Sequence, residues 1–180
     1  MSAPVSALVV RVPAAEALVH DLRQRHDPSA ADGVPAHVTL LVPFLAPADA
    51  TAADTAALRA LFALQPAFDV LFARVGRFPA TAWLAPEPAA PFIALTTALV
   101  ARWPQCRPYG GTFEQVVPHL TAADGCAAAA EAVEHELRRR LAITGPVRGR
   151  CREAEWMDNR SGRFECRAVF ALGTAGTEPA

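Results

Sequence analysis

The sequence lacks the features that would assign it to several large functional classes. Its formal net charge is only −1 over 180 residues, so no overall positive field would attract long nucleic acid. No stretch approaches the ~18 consecutive apolar residues that a membrane helix needs, and no basic segment precedes an apolar run at the N-terminus. These absences predict a cytoplasmic protein, expected to be a monomer, that binds neither membranes nor long nucleic acid.

Closely spaced cysteines are also missing, which argues against a structural zinc site. The four cysteines stand far apart and are expected to be reduced thiols: Cys106, Cys126, Cys151 and Cys166. No low-complexity linker divides the chain, and 52% of its residues are hydrophobic, enough for a substantial core. We therefore expect one domain over residues 1–175, followed by a frayed tail at residues 176–180.

Against this background, two short segments repeat the pattern His, aliphatic residue, Thr. One reads His-Val-Thr at residues 37–39, and the other reads His-Leu-Thr at residues 119–121. Each lies in an aliphatic run that predicts a β-strand. Because residues i and i+2 of a strand share a face, each imidazole should project beside its hydroxyl while the middle residue anchors the strand in a core.

The rest of the chain predicts helices alternating with strands. Trp83 and Trp103 are expected in the core, and a platform for a ligand is the alternative. We expect a loop over 27–35 and a turn-rich connector over 107–113. The remaining expectations are a strand at 7–12, helices over 14–26, 51–64, 92–103 and 125–140, a hairpin with strands at 68–75 and 81–84 broken at 76–79, and a final strand pair at 147–157 and 164–172.

Two histidines brought to one site suit phosphodiester chemistry without a metal. One of His37 and His119 would accept a proton as a neutral imidazole, and the other would protonate the leaving oxygen as an imidazolium. Thr39 and Thr121 could donate hydrogen bonds to the non-bridging phosphate oxygens. No carboxylate lies beside either motif, so no metal is expected, and a nucleophile elbow is missing as well. A structural alternative stays open, in which both are half-buried strand histidines capped by local hydroxyls.

The segments around the two motifs extend the pattern over most of the chain. They include Leu-Leu-Val-Pro-Phe at 40–44, Gly-Arg-Phe-Pro at 76–79 followed by Trp83-Leu84, Trp103-Pro104, and Pro-Tyr-Gly-Gly at 108–111. With these segments, the sequence resembles the two-histidine (2H) phosphoesterase superfamily, particularly its 2′-5′ RNA ligase-like and cyclic phosphodiesterase branches. The resemblance implies an α+β fold of two pseudo-symmetric lobes, whose antiparallel sheets are flanked by helices and enclose a cleft.

The same resemblance implies the roles of the site residues and the class of substrate. His37 and His119 would be catalytic, Thr39 and Thr121 would hold the phosphate, and no cofactor is implied. The substrate would be a 2′,3′-cyclic nucleotide, an RNA 2′,3′-cyclic phosphate end or a related small cyclic phosphate. Some relatives have a basic residue just after the second motif, whereas residues 122–124 here are Ala-Ala-Asp, which favours a small nucleotide. The candidate rim contacts for phosphate or base are Phe44, Arg77, Arg107 and Tyr109, each of which could equally be a surface charge or a packing residue.

Two other functions remain open from the sequence. The first is 2′-5′ RNA ligase activity, since some relatives are described as RNA ligases. The second is a non-catalytic module that binds nucleotides or RNA ends. The presence of all four motif residues argues against the second.

Overall fold

A computed structural model describes residues 4–113 and 115–173. The strands are β1 (Ser6–Arg11), β2 (His37–Leu41), β3 (Phe68–Phe78), β4 (Thr81–Glu87), β5 (Leu120–Ala123), β6 (Val147–Cys151), β7 (Glu153–Asp158) and β8 (Glu165–Ala171). The α-helices are α1 (Glu16–His26), α2 (Pro28–Ala31), α3 (Ala52–Ala63), α4 (Ala90–Arg102) and α5 (Ala127–Thr144). Two 3₁₀ turns occupy Pro13–Ala15 and Pro108–Gly111.

The strands form two antiparallel sheets of four strands each. The first sheet has the order β2-β1-β7-β8, and the second has the order β5-β4-β3-β6. Both are flanked by helices, so the expected α+β class with two antiparallel sheets is confirmed. The outermost strands β2 and β5, which carry the two His-x-Thr motifs, lie against each other where the sheets meet.

Local sequence explains the position of α3. Thr51 and Asp54 form a capping box, in which Thr51 Oγ1 accepts from the Asp54 backbone N–H and Asp54 accepts from the Thr51 backbone N–H. Asp54 Oδ1 also accepts a hydrogen bond from Trp103 Nε1 at 3.0 Å. Trp103 is 2% exposed, so its expected place in the core is confirmed.

Three expectations about the elements were wrong. The predicted loop over 27–35 contains the short helix α2, because Asp27 caps it by accepting from the Ser29 backbone N–H. Strand β3 runs without a break through Gly76. The predicted strand over 147–157 is two strands in different sheets, since β6 pairs with β3 whereas β7 pairs with β1. The chain changes sheet at Arg152, and no local sequence pattern marks that crossing.

Two helices pack across the boundary between the sheets. Helix α1 follows β1 of the first sheet but packs on β5 and α5 of the second. Helix α4 follows β4 of the second sheet but packs on β2 of the first, where Thr96 Oγ1 donates to the Leu40 carbonyl at 2.9 Å. A hydrophobic cluster containing buried residues of both sheets fills the space beneath them, so the two halves share one core.

Other expectations concern the cysteines, the tail and membrane spans. All four cysteines are free. The frayed tail expected at 176–180 lies outside the described residues. Within the described part of the chain, the helices are too short or too polar to cross a membrane.

Candidate active site

The two motifs occupy corresponding positions on the two edge strands that lie against each other. His37 begins β2 and His119 directly precedes β5, while Thr39 and Thr121 lie within the strands. All four side chains are half-buried, whereas the middle residues of both triplets are 0% exposed. The side chains of each triplet therefore alternate between the site and the core, as its strand pattern predicts.

Both imidazoles are anchored by the same type of hydrogen bond. His37 Nδ1 lies 2.7 Å from the carbonyl oxygen of Pro35, and His119 Nδ1 lies 2.7 Å from that of Val117. Because a carbonyl oxygen can only accept, each Nδ1 must carry the hydrogen, which leaves Nε2 as the acceptor of the neutral ring. Thr39 Oγ1 donates to His37 Nε2 at 3.1 Å.

The surroundings lower the pKa of both histidines. Burial, together with the positive charges of Arg23 and His119, lowers the pKa of His37 from 6.5 to about 4, although the Pro35 carbonyl and Asp27 oppose this change. Burial also lowers the pKa of His119, against the effects of the Val117 carbonyl and Asp124. Both rings are therefore mainly neutral at pH 7 in the free protein. The effect of His119 on His37 indicates that the two rings are electrostatically coupled.

An aromatic wall of Phe78, Trp83 and Tyr109 surrounds the ring of His119. Their ring centroids lie 5.3, 5.9 and 6.5 Å from the imidazole centroid, respectively, and the Tyr109 ring is stacked nearly parallel to it. Trp83 lies over Gly76, where a Cβ atom would be only 2.3 Å from Trp83 Cζ2. The wall therefore requires a residue without a side chain at position 76.

Trp83 presents a polar group that the protein itself does not satisfy. Its Nε1 is buried and has no hydrogen-bond partner among residues 4–113 and 115–173. A buried N–H without a partner costs free energy, so such a group is often explained by a ligand or an ordered water.

Tyr109 connects the two motifs. Its backbone N–H donates to the carbonyl of Val42, just beyond β2, while its ring stacks on His119. Burial raises the pKa of its phenol, and the nearby Thr39 hydroxyl opposes that change. The backbone of Tyr109 is left-handed, with φ of 51°, a strained conformation of the kind that clusters at functional sites.

The other three candidate rim residues are placed differently. Phe44 is 5% exposed and packs edge-on against Trp103 and Trp156, so it lies in the core rather than at a rim. Arg77 Nε donates to Glu134 Oε2 at 2.9 Å, which ties Arg77 to α5. Arg107 is exposed beside Gly111, in the turn that carries Tyr109. The structure thus brings Tyr109 to the motifs and leaves Phe44 and Arg77 away from them.

Sequence reasoning missed Phe78 and Trp83 as neighbours of a motif histidine. Trp83 was expected in the core, yet it is half-buried beside His119. Trp83 is opposite Thr121 on one neighbouring strand and opposite Gly76 on the other. Its indole therefore lies on the face of the sheet that carries the Thr121 side chain, which we call the motif face. A single sequence does not reveal this register, although a glycine within a strand hints at a close approach.

The site offers few ligands for a metal. Within the ranges 4–113 and 115–173, no group of three or more His, Cys, Asp or Glu side chains is placed to hold a metal ion. The two imidazoles, two threonine hydroxyls and one phenol instead provide hydrogen-bonding and proton-transfer groups.

Comparisons with known proteins identify the family and the fold. The model of the 2′-5′ RNA ligase superfamily matches residues 10–161. No curated protein sequence matches the chain. Among solved structures, E. coli LigT complexed with NADP+ has a TM-score of 0.59 and 23% identity, covering 96% of this chain and 100% of its own. E. coli LigT complexed with 3′-AMP has a TM-score of 0.59 and 19% identity, covering 95% and 99%. A structure described as a phosphoesterase has a TM-score of 0.60 and 21% identity, covering 96% and 100%.

Proposed function

The chain belongs to the 2′-5′ RNA ligase superfamily, and from that premise we propose that it hydrolyses a cyclic phosphodiester by a metal-independent two-histidine mechanism. The substrate class is a 2′,3′-cyclic nucleotide, an RNA 2′,3′-cyclic phosphate end or a related small cyclic phosphate. The observation that carries the proposal is the matched anchoring of His37 and His119, each through Nδ1 at 2.7 Å, on two edge strands that lie together.

The two histidines take different roles. His37, whose pKa is about 4, stays neutral near pH 7 and serves as the general base, accepting a proton from water at Nε2. The water oxygen forms a bond to phosphorus while a ring P–O bond breaks. His119, as an imidazolium stabilised by the bound phosphate anion, gives its proton to the departing oxygen. The product is a phosphomonoester, and both histidines return to their starting states by exchange with water.

The threonines stabilise the charge that develops on the phosphate. In the empty site Thr39 donates to His37 Nε2. When substrate binds, the same hydroxyl turns to a non-bridging oxygen, which frees Nε2 to accept the proton from water. Thr121 acts in the same way from the other strand. Such donors matter most where negative charge accumulates in the transition state.

A nucleotide is the substrate that the surroundings support best. The aromatic wall beside His119 offers flat surfaces for a base, and the buried Trp83 N–H has no hydrogen-bond partner within the described residues. E. coli LigT, which shares the fold, has been crystallised with NADP+ and with 3′-AMP.

The proposal is tested by incubating the purified protein with 2′,3′-cyclic nucleotides in the presence of excess EDTA. We expect conversion to nucleoside monophosphates, separated by chromatography according to the position of the phosphate. The reaction should continue with the chelator because the imidazoles supply both acid and base. Activity that disappears with EDTA and returns with one divalent metal would contradict the mechanism.

A second candidate activity is 2′-5′ ligation, which the description of the matched family favours. An oligonucleotide ending in a 2′,3′-cyclic phosphate, mixed with a partner that has a 5′-hydroxyl, separates the two activities. A joined product indicates ligation, and an opened ring without joining indicates hydrolysis.

A further inference from the structure

A charged pair lies on the motif face of the first sheet, beside His37. Arg11 of β1 is directly opposite His37 of β2, and Val9 is directly opposite Thr39. On its other edge Val9 is opposite Glu155 of β7. Directly opposed residues of antiparallel strands share a face, with Cβ atoms about 5 Å apart. Arg11 and Glu155 therefore lie on the same face as the motif, within one or two strands of it.

This pair is incomplete as a structural ion pair. Arg11 NH1 lies 3.3 Å from Glu155 Oε1, and the Arg11 side chain is 44% exposed. Glu155 is only 3% exposed, and besides Arg11 it has the Cys166 thiol, a weak donor whose pKa it raises, as a neighbour; its Oε2 has no hydrogen-bond partner that meets the usual geometry within the described part of the chain. A buried carboxylate with an unsatisfied oxygen is costly and calls for an explanation. Glu155 holds the guanidinium on this face and leaves most of its N–H groups unused.

The corresponding positions in the second half carry different chemistry. In the second sheet Trp83 is opposite Thr121, so it corresponds to Val9, which is opposite Thr39 in the first sheet. On the other edge Trp83 is opposite Gly76, so Gly76 corresponds to Glu155, which is opposite Val9. The surface beside His119 is therefore aromatic, whereas the surface beside His37 carries an ion pair of which the guanidinium is the exposed member. Because of this asymmetry, a ligand that has a base at one end and an anionic group at the other would bind in a single orientation.

We propose that Arg11 forms a subsite for a second phosphate group on the nucleotide, the 5′-phosphate of the ribose whose cyclic phosphate reacts. The inference rests on the proposed function for the chemistry between the histidines. A guanidinium matches phosphate because it can donate two parallel hydrogen bonds while carrying the opposite charge. Glu155 orients the guanidinium, and Arg11 is a substrate-binding residue with no part in proton transfer.

The experiment compares nucleoside 2′,3′-cyclic phosphates with and without a 5′-phosphate. The wild-type protein should prefer the 5′-phosphorylated form. Arg11→Gln should lower kcat/KM for that form about tenfold, mainly through KM, and leave the 5′-hydroxyl form unchanged, because one charge-assisted contact is lost. Arg11→Lys should retain part of the preference. Arg150→Gln is the matched control, since Arg150 is 43% exposed and paired with Asp69 at 2.9 Å, on the far edge of the second sheet.

Two results would overturn the subsite. One is a wild-type protein that shows no preference for the 5′-phosphate. The other is an Arg11→Gln variant that loses thermal stability and slows equally on both substrates, which would make Arg11 only a partner of Glu155. If neither substrate is hydrolysed, that result contradicts the proposed function but not the Arg11 subsite. Calorimetric binding of adenosine 3′,5′-bisphosphate and 3′-AMP to wild type and Arg11→Gln then decides the subsite, because only the bisphosphate should lose affinity in the variant.

Discussion

At the scale of single residues, each motif histidine is fixed by one bond from Nδ1 to the carbonyl two positions earlier. Such a bond sets both the tautomer and the orientation of the ring, so Nε2 is available without a carboxylate partner. The neighbouring hydroxyl is within reach because i and i+2 share a strand face. The triplet thus contains a proton-transfer group and a phosphate donor in three residues.

Substitution of either histidine tests the paired roles. His37→Ala and His119→Ala should each lower kcat by about 10²–10⁴-fold, the usual contribution of a general acid or base. Since both act in one proton-transfer scheme, the double variant should lose much less than the product of the two single effects. Kinetics on one cyclic nucleotide, with circular dichroism to check folding, measure this. Wild-type rates in either single variant would contradict the assignment.

The lowered pKa values predict an acidic optimum for kcat/KM. Below about pH 4 His37 becomes charged and no base remains, and above the lowered pKa of His119 that ring is neutral in the free protein and no acid remains. The plot of kcat/KM against pH should be bell-shaped between these limits. Its two limbs report apparent pKa values of the coupled pair of histidines rather than of either one alone. Because bound phosphate raises the pKa of His119, the profile of kcat should extend to higher pH. Initial rates from pH 4 to 9 test this, and a flat profile would refute it.

Prediction from sequence succeeded where the pattern is local. Alternation around Val38 and Leu120 indicated which side chains share a face, and both residues are fully buried. It failed for Phe44, a candidate rim contact that packs between Trp103 and Trp156. The difference has a physical cause. Strand alternation depends on neighbours in the chain, whereas the surroundings of an aromatic side chain depend on strands that pair over long distances.

At the scale of elements, the aromatic wall depends on the hairpin of β3 and β4. Gly76 and Trp83 face each other across this hairpin, and the indole occupies the space of the missing side chain. The predicted break at 76–79 was wrong because a glycine can stay extended in a strand when a neighbouring side chain covers it. The same hairpin therefore supplies the indole and positions it beside His119.

Gly76→Ala should disturb the site through this contact. The added Cβ would be 2.3 Å from Trp83 Cζ2, so the indole must move away from its position beside His119. We expect a loss of about 1–3 kcal/mol in the free energy of unfolding, typical of overpacking, together with a lower kcat/KM. Gly149→Ala in the neighbouring strand β6 is the control, since its Cβ would be 3.4 Å from the nearest atom, Val70 Cγ1. Chemical denaturation and kinetics on both variants measure the effects, and equal behaviour would disprove the role of Gly76.

At the scale of the whole molecule, Arg140 links helix α5 to helix α1. Its NH1 donates to the Leu18 carbonyl at 2.7 Å and to Asp21 Oδ1 at 2.6 Å, and its Nε donates to Glu136 Oε1 at 2.8 Å. Its side chain is 19% exposed. These bonds fasten the helix that follows β1 to the helix that covers the second sheet. Sequence periodicity predicted both helices but not this pairing, because amphipathicity does not identify the partner.

Arg140→Ala should therefore weaken the contact between the two halves. We expect a loss of about 0.5–1.5 kcal/mol in the free energy of unfolding, because the Leu18 carbonyl loses its donor, whereas Asp21 keeps Arg25 and Glu136 keeps Arg139. Unfolding should remain a single transition, since the halves share one core. Arg139→Ala is the control: Arg139 also binds Glu136, within α5 and at 61% exposure, and its loss should leave stability unchanged. Two separate unfolding transitions would contradict the shared core.

The packing of α1 on the opposite sheet also determines when the chain can fold as it is synthesised. The buried face of α1, including Leu18, Val19 and Leu22, is covered by β5 and α5, which leave the ribosome about 100 residues later. Strand β1 likewise needs β7, which follows it by about 140 residues, as a neighbour. The apolar face of α1 therefore stays uncovered until residues 120–144 have been synthesised, so α1 cannot dock in its final place before then.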